Sequence, residues 1–138
     1  MRVYIDTNLL IDFLFYERSN HAEALTLFTF FKKGLFDAVL STQSIIDASY
    51  VYMDREKRPR DLFLLSIKGL LQFVRVLSVD VDNIRFALES PVTDFEDAAQ
   101  IDCAMAARCN LIISSDRKMK NNGLIEVFTP AEFLEKVF

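Results

Sequence analysis

Two stretches decide the fold: Arg2-Val3-Tyr4-Ile5-Asp6-Thr7-Asn8 near one end of the chain and Leu111-Ile112-Ile113-Ser114-Ser115-Asp116 near the other. Each is a short apolar run that stops on an aspartate. A continuous apolar run of this length suits a strand buried on both faces. In an open parallel sheet the carboxyl ends of the strands meet at one crevice, where such folds bind their ligands. Asp6 and Asp116 are therefore expected on the same crevice. Between them lie Asp47, inside a predicted helix, and the pair Asp94 and Asp97. Carboxylates gathered in one place repel each other unless cations or protons neutralise them. The pattern predicts a divalent-metal site.

Outward from these runs, periodicity and end signals set the remaining elements. Asn8 is expected to cap a helix from Leu9 to Tyr16. Ala24, Leu25, Leu27, Phe28 and Phe31 fall at helical spacing, and Gly34 should stop that helix. Ala38 to Leu40 is a short strand. Ser41-Thr42 then caps a helix through Asp47, Tyr50 and Met53. Pro59 opens the way to an apolar helix over Leu62 to Phe73. Val74 to Val79 is strand-like and Asn83 to Glu89 helical. Thr93 or Asp94 starts a helix that Asn110 should end. Asp116 to Lys120 forms a helical turn, Ile125 to Phe128 the last strand, and Thr129-Pro130 the start of a terminal helix. Five short strands alternating with helices predict a three-layer α/β/α sandwich around a parallel sheet, with expected strand order 3-2-1-4-5. Residues 1–138 are expected to form a single domain.

Composition narrows the function classes. The 138 residues carry a net charge of −4, so a broad basic surface for nucleic acid is excluded and any such contact must be local or metal-mediated. Cys103 and Cys109, set among Ala and Met, are expected to be reduced, buried thiols. Two thiols and the single His21, expected at the surface, make no zinc site. Asp6 interrupts any apolar leader, and Leu62 to Val81 contains Lys68, Arg75 and Asp80, so neither a signal peptide nor a membrane span is expected. A soluble, cytoplasmic protein is the expectation.

Each acid also has a local explanation. Asp94 caps a helix with Asp97 at its third position, or Thr93 and Glu96 form a competing capping box. Asp116 caps the turn that follows it, and Asp6 orients the loop into the first helix. Asp47 is harder to explain this way, because Asp is a poor interior helix former and its neighbours Ile45, Ile46 and Tyr50 look core-facing. Burying Asp6 or Asp47 unpaired would cost several kcal/mol, which a shared cation offsets for both.

These residues carry a resemblance to the PIN-domain family (the PilT amino-terminal domain), which includes the VapC-like toxin ribonucleases. It spans nearly the whole chain. Val3-Tyr4-Ile5-Asp6-Thr7-Asn8, followed by Leu9-Leu10-Ile11-Asp12, is similar to the family's first motif, with Asp6 as its acid. Asp47 stands where the family usually has Glu. Asp94-Phe95-Glu96-Asp97-Ala98 resembles the third motif, with Asp97 as the main ligand and Asp94 as a helper. Ile112-Ile113-Ser114-Ser115-Asp116 resembles the fourth. The Asp-for-Glu departure shortens one ligand arm by about 1.5 Å, which either weakens a metal site or admits a water.

The resemblance implies a metal-dependent ribonuclease with Asp6, Asp47, Asp97 and Asp116 as catalytic acids. Asp6, Asp94, Asp97 and Asp116 are the implied ligands, and Asn8 and Ser114 would orient them. Carboxylate oxygens without His or Cys favour Mg²⁺ or Mn²⁺; one ion or two satisfy the pattern. Arg117, Lys118 and Lys120, which follow Asp116, and Arg55 are candidate phosphate contacts for an RNA substrate. An antitoxin partner is implied by the toxin relatives. The alternative is a non-catalytic PIN-like module that binds RNA or protein. A receiver domain or an aspartate-nucleophile phosphatase fits poorly, because strand one ends on Asp6 alone and Asn8 stands where the phosphatase needs a second Asp. Phe13, Phe15, Phe28, Phe30 and Phe31 cannot all face inward at helical periodicity, which predicts an exposed patch and a homodimer or a partner helix in a groove there.

Overall fold

The computed structural model describes residues 1–138. Strands β1 (Arg2–Ile5), β2 (Asp37–Ser41), β3 (Val74–Leu77), β4 (Leu111–Ile113) and β5 (Val127–Phe128) form one parallel sheet in the order β3-β2-β1-β4-β5. Helices α1 (Thr7–Leu14), α2 (His21–Lys32), α3 (Thr42–Ser49), α4 (Arg60–Leu70), α5 (Val81–Glu89), α6 (Phe95–Ala106) and α7 (Pro130–Val137) connect and cover it. The expected fold class and strand order are both present. The chain winds from β1 through β2 to β3 on one side, then crosses to β4 and β5 on the other. The reversal between β1 and β4 is the switch point at which such sheets open a crevice.

Alternation along each strand divides the core between the two faces. Val3, Ile5, Leu40, Val74, Leu111 and Ile113 point to one face, against Leu9, Leu27, Phe28, Phe31, Phe63 and Phe133. Tyr4, Val39, Ile112 and Val127 point to the other, against Ile101, Cys103 and Ala104 of α6. The register then places the ends of the strands. Ile5 pairs with Ile113, and the Asp6 amide donates to the Ile113 carbonyl at 3.1 Å. Asp6 and Ser114 therefore leave the sheet side by side.

Several local expectations are corrected. Asp6, not Asn8, caps α1, accepting from the Thr7 amide at 2.8 Å. The helix after β2 widens at Tyr50–Arg55 into a π-helical turn, which carries Tyr52 into the core beside Phe15 and Phe63. Thr93 and Glu96 form no capping box; Asp94 alone caps α6. α6 ends at Ala106 with Arg108 in the left-handed region at φ 58°, because Asn110 is engaged elsewhere. Its side chain accepts from the Arg2 amide at 2.8 Å and its own amide donates to the Arg2 carbonyl. His21 is half-buried rather than exposed, with Nδ1 2.8 Å from the Asp12 carbonyl oxygen. Cys103 is buried, Cys109 is half-buried, and both are free thiols.

The phenylalanine patch also differs from the expectation. Phe15, Phe28 and Phe31 are buried; Phe13 stacks on Phe28 at 4.2 Å, and Phe30 packs against Phe138. Leu25, Leu62 and Leu65 supply the exposed apolar surface of these segments instead. A groove of about 380 Å³ between α2 and α4 is lined by Phe13, Leu25, Leu65 and Phe73. No helix is long and apolar enough to cross a membrane.

Candidate active site

A chain of hydrogen bonds runs across the ends of β1 and β4. The Ser114 hydroxyl donates to Asp6 Oδ2 at 2.6 Å, and its oxygen accepts from the Asp116 amide at 3.0 Å. Asp116 Oδ1 accepts from the Lys118 amide at 3.0 Å, which starts the 3₁₀ turn Arg117–Asn121. Asp6 is 7% exposed and Ser114 fully buried. Burial pushes the Asp6 carboxyl above the usual carboxylate range, and the bonds from Ser114 and Thr7 pull it back. The charges of Asp116 and Asp12 push it up again. Asp12 is itself buried and ion-paired with Arg18 at 2.6 Å.

α6 brings the second group of acids to the same place. Gln100 sets its rotation: its side-chain oxygen accepts from the Tyr4 hydroxyl, and its Nε2 donates to Thr7 Oγ1 at 3.3 Å. Thr7 Oγ1 is 2.7 Å from Ser44 Oγ, to which the Ser41 hydroxyl donates at 3.2 Å. This buried network ties β1, β2, α3 and α6 together beneath the carboxylates, and burial keeps the Tyr4 phenol protonated far above its ordinary range. Asp97 and Glu96 lie three and four residues before Gln100, so both sit one turn up on its face of the helix. Burial, then the charges of Asp94, Asp116, Asp6 and Glu96, push the Asp97 carboxyl up to about 7. Carboxylates from β1, β4 and α6 thus share one field. Asp94 sits at its rim, exposed, accepting from the Asp97 amide at 3.0 Å.

Asp47 joins this group through Glu96. It is half-buried on α3, with Oδ1 accepting from Gln43 Nε2 at 2.8 Å. The Glu96 carboxyl is raised by burial first, then by Asp47, Asp6 and Asp94. Glu96 is the member that sequence reasoning assigned only to a capping box. Its signal was its spacing, because a buried Gln100 four residues on turns Glu96 toward the end of β1.

The basic candidates divide. Arg117 and Lys118 are exposed and line separate pockets, and only the Lys118 pocket is walled by candidate acids, Asp94 and Asp97. Lys120 is ion-paired with Glu132, which holds the Glu132 carboxyl down at about 2, and so is not drawn to the acids. Arg55 lies 6.0 Å over the Tyr50 ring in the π-helical turn. Asn8 sits half-buried in the first turn of α1, and no side-chain hydrogen bond ties it to Asp6.

A hard divalent cation suits these residues by donor chemistry, since every candidate donor is a carboxylate or hydroxyl oxygen and the acids carry uncompensated mutual repulsion. No three His, Cys, Asp or Glu side chains stand close enough together in this conformation to grip one ion.

The sequence matches the model of the PIN domain over residues 2–118, and no curated protein matches it. Solved structures share the fold. VapC20 of Mycobacterium tuberculosis, a toxin that cleaves the sarcin–ricin loop, superposes with a TM-score of 0.70 at 18% identity, covering 91% of this chain and 98% of that one. A toxin–antitoxin complex from Klebsiella pneumoniae gives 0.63 at 20% identity, over 93% and 97% of the two chains. VapBC2 from Rickettsia felis, bound to a promoter DNA fragment, gives 0.64 at 12% identity, over 94% and 98%. At such identities the likeness speaks for the fold. The family match, running from β1 to the turn after Asp116, takes in both strand-end aspartates, and the chain belongs to the PIN-domain family.

Proposed function

We propose that this protein is a Mg²⁺- or Mn²⁺-dependent endoribonuclease, the toxin of a toxin–antitoxin pair, acting as a single domain. The observation that carries this reading is the placement of Asp6, Asp97, Asp116 and Glu96 around the carboxyl ends of β1 and β4, where burial first and the neighbouring acids next raise the Asp97 carboxyl to about 7. The fold neighbours that are toxins support the toxin reading.

Asp6, Asp97 and Asp116 would hold the ion, with Asp94 at the rim and Asp47 and Glu96 on the α3 side. When bound, the metal supplies charge neutralisation at a phosphodiester and a water of lowered pKa. The chain's own residues set the geometry. Ser114 favours the ionised form of Asp6 against burial and holds its carboxyl in one orientation, and Gln100 fixes the pitch of α6 and hence of Asp97. Lys118 and Arg117 offer positive charge to the substrate phosphates. The short Asp47 arm would be helped by Glu96, whose extra methylene reaches from the neighbouring helix.

The groove between α2 and α4, with Leu25 and Leu65 exposed beside it, suits an apolar protein surface, and we assign it to the antitoxin or to a second copy in a homodimer. The lack of three converged acids favours the non-catalytic alternative, a PIN-like binding module. Incubation of single-stranded RNA with purified protein decides between them. Cleavage is expected with Mg²⁺ or Mn²⁺, and none with EDTA or with Asp6→Asn. Intact RNA under all conditions would establish the binding module.

A further inference from the structure

The 3₁₀ turn Arg117–Asn121 sorts its side chains three ways, because three residues per turn bring positions i and i+3 onto one face. Met119 is buried in the core with Ile112 and Val127. Lys120 pairs with Glu132, and Arg117 lines a pocket with Thr129, so both face the start of α7. Lys118 and Asn121 share the third face, and both wall a cavity of about 590 Å³ with Thr93, Asp94 and Asp97. Since Asp97 is a candidate metal ligand, this cavity adjoins the acid cluster directly. Its volume falls within the range of small-ligand sites.

The polar groups of this wall are uncommitted. Lys118 takes part in no ion pair, and the side chains of Thr93 and Asn121 make no hydrogen bond within the chain. Asn122, by contrast, spends its amide on Met119, Leu124 and Ile125 and serves as a fixed wall. No aromatic ring or arginine lines the cavity, and Pro91 and Val92 are its apolar members. Unstacked RNA bases are held by stacking on aromatic or guanidinium planes, which this wall does not supply. A ribose–phosphate unit asks for what is present. Its phosphate needs a cation, and its 2′-hydroxyl, both donor and acceptor, matches a hydroxyl and an amide that are each both as well.

We propose that this cavity seats one ribose–phosphate unit of the substrate beside the scissile phosphodiester and selects RNA over DNA; this rests on the ribonuclease reading above. Lys118 binds the phosphate, and Thr93 and Asn121 bind the 2′-hydroxyl. Asp116 sets the register. One of its oxygens caps the turn at the Lys118 amide, so the strand-end acid and the phosphate-binding lysine belong to one piece of backbone. Lys118 also offsets Asp94 and Asp97, whose charges would otherwise repel the approaching phosphate. Nothing in the wall reads a base, so selection at this position is for the sugar and not for the sequence.

The test uses the full chain carrying Asp6→Asn, so that RNA is bound without being cut, and fluorescein-labelled single-stranded hexamers of one sequence, made as RNA or as its 2′-deoxy counterpart. Fluorescence anisotropy in Mg²⁺ should show the RNA binding about three- to ten-fold more tightly, the effect of roughly one net hydrogen bond. Thr93 and Asn121 are both exposed, so their replacement leaves the core intact. Adding Thr93→Val with Asn121→Ala should bring the ratio below about two-fold. Lys118→Gln should weaken both hexamers and lower the log–log salt slope by about one. Equal binding of RNA and DNA, a preference that survives the double variant, or a salt slope unchanged by Lys118→Gln overturns the proposal. Wild-type protein and Mn²⁺ then act on RNAs carrying a single 2′-deoxynucleotide at successive positions. Slowed cutting with the substitution at one fixed place relative to the cut, absent in the double variant, supports the subsite, and cutting slowed at no position overturns it. If no RNA is cut while a preference for RNA that depends on Thr93 and Asn121 persists, the ribonuclease reading fails and the subsite stands.

Discussion

Replacing Ser114 with Ala removes the one hydroxyl that both holds the Asp6 carboxylate and receives the Asp116 amide. The first bond has a charged acceptor, lies in the interior, and should contribute about 1.5–3 kcal/mol. The second is partly buried, so water can replace some of it, and about 0.5–1 kcal/mol is a fair share. Little volume is lost. The expected destabilisation is therefore about 2–4 kcal/mol. At this chain length that lowers Tm by about 7–14 °C. The pH dependence carries the diagnosis. The hydroxyl stabilises the ionised form of Asp6 and lowers its pKa, while burial raises it. Losing the donor pushes that carboxyl further up, so the deficit is full at alkaline pH, where Asp6 must be charged. It shrinks as pH falls and Asp6 takes up its proton. Thermal melts in EDTA at pH 5 and pH 8 should show a clearly larger loss at pH 8. Isothermal titration with Mn²⁺ should show affinity reduced by about 10- to 100-fold, as for other residues that orient metal-binding carboxylates. A Tm change under about 3 °C at pH 8, or an equal change at both pH values, would refute the account of Ser114 as the holder of an ionised Asp6.

Asp6→Asn should melt no lower than wild type in EDTA, because it removes a buried charge from a repelling set; a loss beyond about 1 kcal/mol by chemical denaturation would show that the charge itself supports the α1 cap. Metal-free wild type should lose stability as pH rises from 4 toward 8. The Asp97 carboxyl is held at about 7 in the fold, against about 3.9 when unfolded, so its favourable term is complete below pH 4 and lost through 7. Mn²⁺ should reverse that loss, and differential scanning fluorimetry reads both effects. Asp47→Glu should tighten Mn²⁺ binding by calorimetry and raise cleavage, if the short arm at this position is what leaves the acids unconverged. Arg108→Gly should raise Tm by about 2–4 °C, because Arg108 closes α6 in the left-handed region; an unchanged melt would show that the strain is negligible.

What was legible in the sequence was what depends on periodicity. Strands of two to five residues were placed from apolar runs, and their order followed from alternation with helices. Caps were less legible, because they depend on which of two adjacent polar residues the tertiary structure claims. Asp6 and Asn8 are equally good caps in isolation, and the pairing of β1 with β4 decides for Asp6 by setting its backbone at the sheet edge. Asn110 is the better residue for ending a helix, yet the start of β1 claims its side chain, and the helix ends at an arginine instead. The phenylalanines differ from the sequence expectation for a related reason. Helical spacing shows that one face must be apolar, but not that Phe13 would lean onto Phe28 and leave the exposure to Leu25 and Leu65.

The acids show the limit most clearly, because capping and chemistry are not competing explanations here. Asp6, Asp94 and Asp116 each cap the turn that follows them, as a local reading predicts for Asp94 and Asp116. In doing so each is fixed at the carboxyl end of a strand or the amino end of a helix, and those ends converge at the switch point between β1 and β4. A capping aspartate spends one oxygen on the backbone and keeps the other free: Asp6 Oδ1 serves Thr7, and Oδ2 turns to Ser114 and the cleft. The helix N-termini also lend partial positive charge, which helps hold carboxylates together before any ion arrives. That help is incomplete, since burial and then the neighbouring charges still raise the Asp97 carboxyl to about 7. The residual repulsion is the part of the design that local rules cannot account for and that a bound cation would relieve.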